Sequence, residues 1–97
     1  MIVKVKHELP QQIVQDKIKQ LLETTVKEYA GLISAHDFTW NGNSCDILLS
    51  AMKMQFKGTV VIHKDNVQVD VRVPLIFYGY QSKIKTVIED ELNKILK

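Results

Sequence analysis

The stretch Asp37 to Phe77, DFTWNGNSCDILLSAMKMQFKGTVVIHKDNVQVDVRVPLIF, decides how this chain folds. It reads as four consecutive strands. Asn41-Gly42 hinges the first pair, because both positions of a tight two-residue hairpin turn must accept positive φ. A second reversal falls near Ala51 to Lys53 and a third at Lys64-Asp65-Asn66. The alternation is clearest in Val67, Val69, Val71, Val73 and Leu75, with Gln68, Asp70 and Arg72 between them, the period-two signature of a half-buried antiparallel strand. Cys45, Ile47, Leu49 and Ala51 share one face of the second strand, and Met54, Phe56, Val60 and Ile62 share one face of the third. Phe38 and Trp40 point together in the first. Gly58 interrupts the third series, and a glycine inside a strand marks a bulge or a close backbone approach that lets the sheet curl. The other face carries Asp46, Ser50, Gln55, Lys57, Thr59, Gln68, Asp70 and Arg72, broken by Leu48, Val61 and Ile76 as a modest apolar patch.

Such a sheet has one apolar face that needs a cover, and the flanking sequence supplies two. Upstream, Val3 and Val5 alternate with Lys4 and Lys6 in a short strand whose outward lysines suit a sheet edge. Pro10 then fits a first helical position, where its missing N–H costs nothing. Ile13, Val14, Ile18, Leu21, Leu22, Thr25, Val26 and Tyr29 recur at three- and four-residue spacings, one stripe of a helix. Gly31 provides the stop. Downstream, Ile84, Val87, Ile88, Leu92, Ile95 and Leu96 mark a second helix with Ser82 as N-cap. The expected fold is α+β: a single curved antiparallel five-stranded sheet with two helices on one face, β-α-β-β-β-β-α, abbreviated helix-grip-like. Crossing of the first helix to the far edge of the sheet predicts strand order 1-5-4-3-2. Residues 1–97 read as a single domain.

Composition narrows the function classes. At 97 residues, 45% hydrophobic and 25% charged, the chain suits one globular core. No apolar run approaches the ~20 residues of a membrane span. A net charge of +2, with Lys and acidic residues interleaved, provides no field for nucleic acid; Lys53, Lys57, Lys64 and Arg72 are offset by Asp46, Asp65 and Asp70. The N-terminus lacks a signal-peptide core, and with a lone Cys45 the chain reads as cytoplasmic.

Side chains with chemical potential do not converge. Cys45 alternates onto the face of Ile47 and Leu49, where a thiol behaves as a small buried hydrophobe. His7, His36 and His63 sit at strand ends in separate elements without metal-ligand spacing. His7 lies on the inward face beside Val5, where its expected task is to tie the strand-to-helix turn through hydrogen bonds. Glu89, Asp90 and Glu91 read as a solvated helix face with Lys94 in reach. No catalytic residues, metal site or cofactor are expected, and the chain is not read as an enzyme. Phe77, Tyr78 and Tyr80 crowd one loop around Gly79, where the sheet ends and the covering helix begins. They are candidates either to seal the junction or to form an apolar lip, with Lys83 and Lys85 just beyond.

Val5-Lys6-His7-Glu8-Leu9, Trp40-Asn41-Gly42, Phe56-Lys57-Gly58-Thr59-Val60, Val73-Pro74-Leu75, Lys83-Ile84 and Glu91-Leu92 together resemble the small bacterial polyhydroxyalkanoic acid system protein family, over essentially the whole chain. The resemblance implies a polyester-granule or fatty-acyl context. It suggests a binding module for a granule surface or an apolar small molecule, with Phe77, Tyr78, Tyr80, Trp40 and His7 as candidate ligand-binding residues. The alternative is an adaptor or homodimerisation module that meets another granule protein or a second copy. A sizeable internal cavity would favour the first; a packed core with Leu48, Val61 and Ile76 clustered outside would favour the second.

Overall fold

The computed structural model describes residues 1–97. Strand β1 (Ile2–Lys6) leads into helix α1 (Gln11–Glu28). Strands β2 (Ile33–Asn41), β3 (Ser44–Ala51), β4 (Met54–Ile62) and β5 (Asn66–Arg72) follow, then a 3-10 segment (Leu75–Tyr80) and helix α2 (Gln81–Leu96). The five strands form one antiparallel sheet in the order β1-β5-β4-β3-β2, as the helix crossover predicts. One row runs Val3, Val69, Val60, Cys45, Trp40 across all five strands. Because side chains alternate, that row and every second row beyond it face the helices.

The core lies between that face and the helices. Val3, Val5, Val67, Val69, Val60, Ile62 and Cys45 come from the sheet, Val14 and Ile18 from α1, Leu92 and Leu96 from α2. Helix α1 is seated over the β2–β4 side. Gln11 Nε2 donates to Ile62 O (3.0 Å), Gln15 Nε2 to Gly42 O (3.1 Å), and the Lys19 ammonium sits 5.2 Å from the Trp40 ring centre. Helix α2 covers β1.

Strand lengths are unequal, and this shapes one end of the molecule. Strand β5 stops at Arg72, opposite Lys57, while β4 continues back to Met54 with β3 and β2 beside it. Three strands therefore project about 10 Å past the five-stranded part, in a body measuring 37 × 24 × 21 Å. Val73 and Leu75 do not continue β5, contrary to the alternation in the sequence. Pro74 has no N–H for the ladder and holds φ at −56°, and the chain turns into the 3-10 segment with Phe77 N–H bonded to Pro74 O (2.8 Å).

Several local expectations are corrected. The first hairpin loop is Gly42-Asn43, closed by the pair Asn41–Ser44, one residue later than expected; only Gly42 has positive φ, at 61°. The second loop is Met52-Lys53, with φ of 52° and 63°, left-handed without glycine or asparagine. Pro10 precedes helix α1 as its cap residue, and the helix closes at Tyr29 (φ −108°), whose N–H bonds Thr25 O, so Gly31 is not needed in a left-handed role. Ser82 does not cap α2, which grows directly from the 3-10 segment at Tyr80. Gly58 lies in unbroken register with Ile47 and Val71; it marks a close approach and no bulge, since a Cβ there would stand 3.2 Å from the backbone oxygen of Asp70. Leu48, Val61 and Ile76 form no patch. Leu48 pairs with Lys57 and Val61 with Ser44, about four residues or 13 Å apart along the strands, and Ile76 has left the sheet.

Candidate functional site

The unequal strands leave apolar side chains without cover at the three-stranded end. Leu75 and Ile76 are 79% and 74% exposed, and Tyr78 and Tyr80 are also more than half exposed. They occupy consecutive turns of the 3-10 segment, too short and too tightly wound to turn one face inward throughout. Met52, at the β3–β4 tip, and Tyr29 and Leu32, at the end of α1, are exposed at the same end of the sheet. Exposed apolar residues scattered singly are ordinary; this concentration is not.

Phe77 anchors the segment. Its ring stacks on Phe56 of β4 at 6.0 Å between centres, and Tyr80 tilts against Phe77 at 6.4 Å. The inner face of β4 thus gains a partial cover past the end of β5. Beside it, Phe77, Tyr80, Ile84, Val87, Ile88 and the stem of Lys83 line a groove of about 500 Å³ that opens to solvent. Ile84, Val87 and Ile88 are the helical stripe seen in the sequence, and Val87 is half exposed because nothing packs on its side. The groove offers apolar contact with one ammonium at its rim. It contains no nucleophile, acid–base pair or oxyanion donors.

The five candidate residues do not form one site. Phe77, Tyr78 and Tyr80 share the apolar end. Trp40 is half-buried under α1, in a smaller recess of about 240 Å³ with Lys19, Leu22, Glu23 and Phe38. His7 is buried at the opposite end of α2, near Leu96. Its Nδ1 accepts from Leu9 N–H (3.1 Å), so the proton sits on Nε2, which donates to His63 O (2.9 Å). Both ring nitrogens tie β1 to the turn before α1 and to the β4–β5 loop. Leu75 and Ile76 were missed as site residues because alternation assigned Leu75 to the core face and Ile76 to the outer one. Pro74 was the signal that could have found them.

Two further features lie away from the apolar end. The outer sheet face forms a trough of about 430 Å³ lined by Asp37, Asp46, Asp70, Lys57, Arg72, Thr39 and Thr59 among others. Thr59 Oγ1 donates to Asp46 (3.3 Å), and the N-terminal ammonium lies 3.8 Å from Asp70. Acids on β2 and β3 (Asp37, Asp46) face Lys57 on β4, and β5 carries both Asp70 and Arg72, so no single sign of charge dominates. Cys45 is fully buried, and burial together with the neighbouring Asp46 carboxylate pushes its thiol up to about 11, which makes it a poor nucleophile. No group of three or more His, Cys, Asp or Glu is placed to hold a metal ion, and no helix is long and apolar enough to cross a membrane.

No match was found among curated proteins or among solved structures. The family model described as "Putative polyhydroxyalkanoic acid system protein" matches residues 1–96. With all but the last residue covered, the chain belongs to the polyhydroxyalkanoic acid system protein family.

Proposed function

We propose that the protein is a non-catalytic cytoplasmic binding module that attaches through its apolar end to a polyester-granule surface or to clustered fatty-acyl chains. The observation that carries this reading is the exposed run Leu75, Ile76, Tyr78 and Tyr80 beside an open apolar groove. An open groove favours an extended apolar surface over a single enclosed ligand, since the latter sits in a cavity that hides most of it. Tyrosine suits such a boundary, with an apolar ring and a hydroxyl that stays wet. Lys53, Lys83 and Lys85 lie at or next to this end and add attraction for anionic groups at the interface. Family membership supplies the polyester context.

The test is co-sedimentation of purified protein with amorphous poly(3-hydroxybutyrate) particles and, in a second arm, with fatty-acyl vesicles. Burying Leu75 and Ile76 contributes about 1.5 to 3 kcal/mol each. Leu75→Ser, Ile76→Ser should therefore lower affinity by about a hundredfold or more. Folding should be intact, because both side chains are about three-quarters exposed. Equal binding of wild type and double variant, or no binding of wild type in either arm, would overturn the reading.

A further inference from the structure

The sheet has two edges, and they differ. Strand β1 is five residues long, presents Lys4 and Lys6, and lies beside α2. Strand β2 is nine residues long, contains no Lys, Arg or Pro, and is irregular only between Ile33 and Ala35. Edges without such guards are the ones that recruit another strand.

The hairpins fix which backbone groups of β2 are free. A two-residue loop is closed by a mutually hydrogen-bonded pair, and such pairs alternate along the ladder. Asn41–Ser44 therefore assigns Asn41, Thr39 and Asp37 to β3. The loop closed by Ala51–Met54 gives the same answer independently: it assigns Leu49, Ile47 and Cys45 to β4 and leaves Leu48, Asp46 and Ser44 for β2. The N–H and C=O groups of His36, Phe38 and Trp40 consequently point away from the sheet.

We propose that β2 pairs antiparallel with β2 of a second copy of this chain, giving a continuous ten-stranded sheet about a two-fold axis at Thr39. Three observations select that partner and register. A two-fold at Asp37 would set two carboxylates directly opposite, which is destabilising. A two-fold at Thr39 sets Thr39 against Thr39 of the second copy and Phe38 against Trp40 of the second copy, with about four backbone hydrogen bonds. On the helix side, Lys19 stands over Trp40, while Glu23 borders the recess that includes Phe38. The same register sends Lys19 of each copy toward Glu23 of the other, so the charges are complementary twice over. A two-fold perpendicular to the sheet keeps both helix layers on one side and places the two apolar ends at opposite extremes of the dimer, so the pairing leaves both free and stands independently of the granule reading.

Sedimentation equilibrium over a concentration series tests this without any ligand. Wild type should show a reversible monomer–dimer equilibrium. Thr39→Lys, at an exposed outer-face position, should remain monomeric with an unchanged circular dichroism spectrum. Glu23→Lys should weaken association about tenfold, and the swap Lys19→Glu, Glu23→Lys should restore it, a readout that survives if Thr39→Lys folds poorly. A wild type that stays monomeric throughout, or a dimer indifferent to the α1 charge reversal and its swap, would overturn the proposal.

Discussion

Replacing His7 tests how the end opposite the apolar one is held. The imidazole is 6% exposed and uses both nitrogens, one on Leu9 N–H and one on His63 O. Truncation to Ala removes two hydrogen bonds, each worth about 1 kcal/mol net, and leaves Leu9 N–H and His63 O partly buried without that partner. With the lost packing, His7→Ala should cost about 2 to 4 kcal/mol. A urea slope of about 1 to 1.5 kcal/mol/M then places the fall in midpoint near 2 M. His7→Asn separates the two bonds. The Asn carboxamide oxygen can accept from the amide two residues on, as Nδ1 does, but cannot span to His63. Its cost should be roughly half that of Ala. Equilibrium urea unfolding followed by Trp40 fluorescence measures both. A His7→Ala midpoint indistinguishable from wild type, or Asn as damaging as Ala, would refute the assignment of His7 as a two-way tie.

Other consequences follow from the same geometry. Gly58→Val should destabilise by about 1 to 3 kcal/mol in denaturant unfolding, because the Cβ meets Asp70 O at 3.2 Å in a strand bonded on both sides; an unchanged midpoint would mean the strands part freely. Met52→Asn, Lys53→Gly should stabilise by about 1 to 2 kcal/mol, read as a rise in Tm, since both native residues hold positive φ; no rise would deny that strain. Cys45 gives a pH dependence. Its folded pKa is raised from 9.0 to about 11, so its contribution is fully present below pH 9 and is lost as pH climbs through 11. That loss amounts to about 2 to 3 kcal/mol at most. The stability difference between wild type and Cys45→Ala should shrink across that window, and a constant difference would contradict the burial argument.

The sheet was legible because its strands state their faces. Val67, Val69 and Val71 alternate against Gln68 and Asp70, and that pattern, with a helix connecting the first strand to the far edge, determines both order and inward face. Turn details were less legible. Met52-Lys53 adopts a conformation that neither residue favours, imposed by the closed pair Ala51–Met54 on either side. At Val73 the alternation continued in sequence while Pro74 ended it in space, and the misreading hid Leu75 and Ile76, the two most exposed apolar side chains. The aromatic cluster at Phe77, Tyr78 and Tyr80 was visible from composition alone. Which ring turned inward depended on Phe56, a contact across elements that no local pattern encodes.

Hydrogen exchange read by mass spectrometry, with and without amorphous polyester particles, tests the apolar end most directly. Slowed exchange is expected only in the 3-10 segment Leu75–Tyr80, the Met52-Lys53 tip and the first turns of α2, with the outer-face residues of β3 to β5 unchanged. Protection on that outer face with none at Leu75–Tyr80 would contradict it.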